Sequence, residues 1–294
     1  MSILDYILKR ILFFIPMFFL MTSVVFYKGM IMASGGVANL PRDTHVMYLR
    51  SMFALTQGDF GASPERIAGG VGVSTILLSR IPVTLVLVLG SALMSGILGV
   101  ALGIIAAIRQ NKLLDKIIMI LTLFTSSMPL MFLGLILILI FSRNFGNLPF
   151  IGLTSPQHAI LPIATLTVPA VAFIARTTRT AMLEALTMPH ITAARARGLP
   201  ERKILLSHAV SNMRIPVITA VSLRLAELFM GTVLVETVFS IPGLGRLLMG
   251  ATSGRNIPLV MGSIIFMSLL FMFITLVVDI LYIVVDPRTR KNFG

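Results

Sequence analysis

Arg224 and Glu227 stand three residues apart inside an apolar run, residues 215–235. At that spacing an arginine and a carboxylate share a helix face and can pair. Hydrocarbon solvates neither group, so at membrane depth both must face protein or water. The chemistry open to them is recognition: a polar lining that meets peptide termini or polar side chains, or a structural pair held inside a bundle. A second polar group is the segment 183–214, LEALTMPHITAARARGLPERKILLSHAVSNMR, set between apolar runs in a chain that spends charge sparingly. Such a segment is expected to touch a partner. A third is the Pro242, Gly243, Gly245 cluster, whose turn chemistry suits an irregular element between the last two apolar runs.

The elements that must position these residues follow from composition. Hydrophobic residues make up 56% of the 294, charged residues 12%, and the mean hydropathy is +0.98. Soluble domains are about half apolar and a quarter charged, so this is an integral membrane protein. A span of about 20 apolar residues crosses the hydrocarbon core. Six stretches qualify or nearly so: 11–27, 81–108, 117–142, 159–175, 215–235 and 258–285. Their apolar character is continuous, not alternating, which calls for helices instead of a barrel. The fold class read here is all-α, with six transmembrane helices in one domain, residues 1–294.

The net charge of +13 is distributed by topology, not as a nucleic-acid-binding patch. With the N-terminus inside, the cytoplasmic side receives Lys9, Arg10, Arg109, Lys112, Lys116, the cluster between Arg176 and Arg214, and Arg288, Arg290 and Lys291. Lys28, Arg42, Arg50, Arg66 and Arg80 fall outside, in or beside one long segment, residues 28–80, and long loops inform orientation less than short ones. Both termini are therefore placed in the cytoplasm. The first run reaches Tyr27 with no small-x-small cleavage site after it, so it reads as a retained span and not a signal peptide. The outer segment, with Gly35-Gly36, Pro41, Gly58-Asp59, Gly61 and Gly69-Gly70, is too short and glycine-rich for an independent domain.

Within the second span Ser91, Ser95, Gly99, Gly103 and Ala107 recur every four residues, a face of small side chains that lets another helix approach closely. Pro129, Pro162 and Pro169 fall inside the third and fourth spans and are expected to kink them. Glu236 and Asp279 are further charges within apolar runs, with no role that spacing assigns. His45, His158, His190 and His208 are scattered and form no metal-ligand pattern, and cysteine is absent. No metal site and no cofactor are expected in this chain.

The polar segment reads as two short helices about a glycine bend. Pro189 suits a first turn, the TAARARG run favours helix, and Gly198 is a natural stop. Pro200 then restarts a helix with Glu201 in its first turn. Arg195, Arg197, Arg202 and Lys203 can meet acidic neighbours or lipid headgroups.

At this point the sequence resembles the permease subunits of bacterial ABC importers, in the branch that carries peptides and nickel. Thr192, Ala193 and Ala194 occupy the positions of the family's EAA loop, and Gly198 falls at its glycine. Thr192 replaces the general Glu, and residues 208–211 lack the later Ile-x-Leu-Pro, departures that look like the peptide/nickel branch. The resemblance extends through RIPVTL (80–85), SSMPLMFLGLILIL (126–139), LPIATLTVPAVAFIARTTRTAMLEAL (161–186), VETVFSIPGLGRLL (235–248) and VDILYIVVDPRTR (278–290), with GDFG at 58–61.

The resemblance implies a type I importer permease whose 189–205 loop couples to ATPases through Thr192, Ala193, Ala194, Arg195, Gly198, Pro200, Glu201 and Arg202. It implies a second related permease, two ATP-binding subunits carrying ATP and Mg, and an external substrate-binding protein. Arg224 and Glu227 are candidates for the pathway, and Pro242, Gly243 and Gly245 for the outer gate. The chain itself has no GxxxxGK[ST] phosphate loop. Substrate is open between di- or oligopeptides, nickel and a metal chelate. The rival readings are an ion-driven secondary transporter and an intramembrane enzyme; the second is disfavoured by the absence of HExxH and GxSxG motifs.

Overall fold

In the computed structural model residues 3–36, 39–60, 72–144 and 148–285 are described. Gly61, Arg66, Gly69, Gly70, Arg288, Arg290 and Lys291, named above, lie outside that set. The described chain is helical throughout: α1 (Ile3–Ser34), α2 (Thr44–Thr56), α3 (Val73–Ile108), α4 (Leu113–Ser127), α5 (Leu130–Ile138), α6 (Ile160–Leu186), α7 (Pro189–Ala196), α8 (Glu201–Lys203), α9 (Val210–Val238), α10 (Leu244–Ser253) and α11 (Ile257–Val285). Five helices are long and apolar enough to cross a membrane, and the α4–α5 pair brings the number to six if it is one span.

The apolar runs read from sequence lie in these elements, with three differences. First, the run 117–142 is not one rod: its two helices meet at 107°. Met128 and Pro129 at the corner are extended (ψ 131° and 135°), because proline carries no N–H and pushes its predecessor out of the helical region. Pro162, expected to kink the fourth span, instead lies in the first turn of α6, where a missing N–H costs nothing; Pro169 alone sits inside that helix. Second, α1 runs on to Ser34 and α3 begins at Val73, so helix takes up both ends of the 28–80 segment, and α2 occupies its middle. Third, the restart at Glu201 is not a short helix. It passes through a π-helical turn (Ile204–Ala209) straight into α9, since no breaker intervenes before Pro216.

The small-residue face of α3 is the spine of the bundle. Ser91, Ser95, Gly99, Gly103 and Ala107 are all buried. Opposite Gly90, Gly99 and Gly103 stand Ile163, Ile174 and Thr178, so α3 and α6 run parallel and in close contact. In lipid this closeness replaces the hydrophobic effect as the source of helix association. One apolar core, Leu87, Leu166, Leu228, Val235 and Phe239, joins α3, α6 and α9 at one end; a second, Ala107, Met182, Ala185, Met213 and Val217, joins them at the end carrying α7.

Helix α1 is peripheral. It is held to α11 by Arg10 Nε, 2.7 Å from Asp279 Oδ2, and to α2 by a ring cluster in which the Tyr27 hydroxyl lies 2.6 Å from His45 Nδ1. A third fastening, absent from the sequence reading, joins α4 to α6. Arg179 Nε and Nη2 donate to the two oxygens of Asp115 at 2.7 and 2.8 Å, and Asn111 N–H donates to the same carboxylate at 2.9 Å. The carboxylate is 3% exposed, and three donors offset its desolvation. Its only sequence signal was a lone acid in the first turn of a helix that follows a basic turn.

Candidate coupling and pathway sites

The polar segment folds as a knuckle at the end of the bundle. Helix α7 closes in a Schellman turn: Gly198 N–H donates to Arg195 O at 2.9 Å and Leu199 N–H to Ala194 O at 3.3 Å. Gly198 takes φ +78°, a left-handed conformation that costs other residues about 1–2 kcal/mol. Beneath the turn Ile191, Ala194 and Ile204 form a small core with Leu199 packed on it. Thr192, Ala193, Arg195, Gly198, Pro200, Glu201 and Arg202 are exposed. The sequence-predicted group therefore divides. Ala194 faces inward and supports the knuckle, while Thr192 and Ala193 present outward. Arg195 Nε is bonded to Glu201 Oε1 at 2.7 Å across the bend, so these two charges meet each other within the chain. Both are well exposed, and the pair adds little stability by itself.

Arg224 and Glu227 are brought together: the guanidinium donates to the carboxylate and also stacks on Phe173 of α6, 3.8 Å from the ring centroid. Their side chains are 23% and 59% exposed, so the pair lies on the outer surface of this chain at mid-span and not in its core. The arginine–phenylalanine stack divides two hollows on that face. One, of about 170 Å³, includes Pro169, Arg224, Glu227 and Gly231. The other, of about 380 Å³, is lined by Phe173, Arg176, Thr177, Thr180, Glu184 and Pro216. Sequence reasoning missed Arg176, Thr180 and Glu184 as site residues. Their i, i+4, i+8 spacing along α6 was the signal, diluted by the apolar residues between them.

Pro242, Gly243 and Gly245 form a turn that opens directly into α10, not a loose loop. Its anchor is Glu236, which is fully buried. One carboxylate oxygen accepts the Thr84 hydroxyl at 2.6 Å; the other accepts Gly245 N–H at 2.7 Å and Arg246 N–H at 3.1 Å. Leu244 N–H donates to Thr84 Oγ1 at 3.0 Å, so the first three N–H groups of α10 are all satisfied by groups from other helices. A side chain at Gly243, the N-cap, would have its Cβ 2.3 Å from the Glu236 carboxylate. Glycine is required there because the cap comes from α9. Arg80 reaches the same turn, donating to Pro242 O at 3.2 Å. Histidines do not cluster, and among the described residues no group of three or more His, Asp or Glu is placed to hold a metal ion.

Residues 99–291 match the family described as binding-protein-dependent transport system inner membrane component. The chain belongs to this family. Over 98% of its length it is 35% identical to the glutathione transport system permease protein GsiC of Salmonella paratyphi A and 36% identical to that of Escherichia coli K12, in each case covering 99% of the relative. It is thus an ABC importer permease of the peptide/nickel family, a multi-pass inner-membrane transport subunit and not an enzyme, with ATP hydrolysis in separate subunits. The fold is shared with a chain of the inward-facing MetNI methionine ABC transporter, at a TM-score of 0.60 and 22% identity over 72% of this chain and 97% of that one.

Proposed function

We propose that this permease forms half of the translocation pathway of an ATP-driven importer of short peptides, paired with a second related permease. Both termini lie in the cytoplasm, and the α7 knuckle engages one of two ATPase subunits, which carry ATP and Mg. An external binding protein delivers substrate at the end of the bundle near α10, where the Pro242–Gly243–Gly245 turn belongs to the outer gate. Residues 189–205 act as the coupling element of a single membrane domain. The observation that carries this reading is the knuckle itself: an internally packed turn with an exposed Thr192, Ala193, Gly198 and Arg202 surface. Coupling requires that surface to fit the ATPases differently in the inward-open and outward-open states, since equal contacts shift nothing.

The peptide reading is supported by relatives that are glutathione permeases, glutathione being a tripeptide. Nickel or a metal chelate is the alternative within the family. Affinity capture of the tagged chain from detergent-solubilised membranes tests the assembly. Recovery of a second permease and nucleotide-binding subunits with ATPase activity is expected; a transport-competent chain without any ATPase overturns it.

Gly198 gives a sharper test. An added Cβ meets nothing within 4 Å, so beyond the backbone strain that any side chain brings at φ +78°, extra bulk at this position is penalised only by a partner. Gly198→Ala should cost about 1 kcal/mol of local backbone strain and keep most uptake. Gly198→Trp should insert normally yet lose ATP-dependent uptake at least tenfold. Normal uptake by the tryptophan variant removes the knuckle from coupling.

A further inference from the structure

Four of the positive charges at or near membrane depth are accounted for within the chain. Arg10 meets Asp279, Arg179 meets Asp115, Arg224 meets Glu227, and Arg80 is bonded to a backbone carbonyl at the turn before α10. Arg176 differs. It is half-buried in α6, and its Nη1 is positioned by two neutral oxygens of α4, Ser126 Oγ at 3.0 Å and Thr122 O at 3.4 Å. No carboxylate among the described residues lies within ion-pairing distance of it. The run 159–175 places Arg176 on the cytoplasmic side, but α6 continues to Leu186. A guanidinium held in place by dipoles thus stands at the end of that apolar stretch within the helix, and with no counter-charge beside it calls for an anion or water. It opens onto the hollow of about 380 Å³, whose other polar walls are Thr177, Thr180 and Glu184.

We propose that Arg176 is a carboxylate-binding subsite of the pathway, and that Glu184, at the other end of the same hollow, receives the positive end of the same solute. This deepens the peptide reading and rests on it for the identity of the solute. Arg224 is unsuited to the task because Glu227 already occupies it. The stack of Arg224 on Phe173 stands one helical turn from Arg176, so a solute moving along this face past the stack meets the Arg176 guanidinium next. Eight residues separate Arg176 from Glu184, about 12 Å of helix, close to the length of an extended peptide of three or four residues. The solute class is therefore a short zwitterionic peptide with a free C-terminal carboxylate, bound in extended form.

The chain has no native cysteine, so one introduced thiol reports locally. Thr180→Cys places it in the hollow one turn from Arg176 and one from Glu184. The assembled transporter in membranes is treated with two methanethiosulfonate reagents, one bearing a sulfonate and one a trimethylammonium group, and the labelling rates on this chain are compared. The sulfonate-to-ammonium rate ratio should fall at least fivefold when Arg176→Gln is added to Thr180→Cys, and should rise with Glu184→Gln. Trialanine should slow labelling by the sulfonate reagent, and its C-terminal amide should not. An unchanged ratio with Arg176→Gln, or no labelling by either reagent, overturns the anion subsite; an unchanged ratio with Glu184→Gln overturns the assignment of its cationic counterpart. A ratio that falls as stated while neither peptide protects upholds the subsite and sinks the peptide reading instead, which separates the two failures.

Discussion

Glu236→Ala is expected to destabilise this permease by about 2–6 kcal/mol, because it strands two backbone N–H groups at a helix start, one buried and one part-buried, each worth about 1–3 kcal/mol. Those groups, on Gly245 and Arg246, have no substitute acceptor, since the N-cap position is a glycine. The Thr84 hydroxyl loses its acceptor as well. Glu236→Gln separates shape from charge. Its carbonyl can take the two N–H bonds while its amide donates to Thr84 Oγ1, so most of the stability should return. The check is the midpoint of thermal loss of the monodisperse peak for the detergent-purified transporter. Alanine should lower it by far more than glutamine. Equal, small losses for both variants show that the carboxylate does not hold the turn before α10.

Gly103→Leu should be at least as damaging to assembly of the bundle. A Cβ at Gly103 would lie 2.5 Å from Thr178 Cβ and 2.6 Å from the carbonyl oxygen of Ala175. The obstacle is backbone, so α3 and α6 must separate along their whole interface. Overpacking commonly costs about 1–3 kcal/mol, and a rigid obstacle places this case at about 3 kcal/mol or more. Gly90→Ala is the contrast. There the nearest atom, at 2.8 Å, is Cδ1 of Ile163, the flexible end of a side chain that can turn aside. Membrane-extracted Gly103→Leu should aggregate or be degraded under conditions where Gly90→Ala behaves as wild type. Similar yields and thermal midpoints for the two variants remove close helix approach as the basis of the α3–α6 spine.

These effects divide the functional face from the structural one. Glu236, Gly243, Gly245 and Gly103 hold helices in place. Arg176, Glu184 and Glu227 lie on a surface this chain does not cover, and Thr192, Ala193 and Gly198 on another. The first surface fits the boundary with the proposed second permease, because a charged face that runs from Glu227 at mid-span to Glu184 near the end of α6 requires water or protein beside its deeper part. The second fits a soluble partner, because its residues are small, polar or basic and lie beyond the apolar part of the bundle.

Local properties of the chain were legible in its sequence because they depend on residues near one another along it. The apolar runs, the Gly198 stop after α7 and the four-residue repeat of small side chains in α3 are of this kind, and the motif strings added the family. The tertiary structure decided what depends on distant pairs. It showed that the third run breaks by 107° at Met128 and Pro129, and that α8 is continuous with α9. It showed that Ala194 turns inward while Thr192 and Ala193 do not. It paired Asp115 with Arg179 across 64 residues and Glu236 with Thr84 across 152, and left Arg176 without a counter-charge among the described residues. A sequence states which charges exist. Which of them are neutralised is a matter of distance between helices, and in a medium of low dielectric that distance determines whether a charge fastens the fold or waits for a ligand.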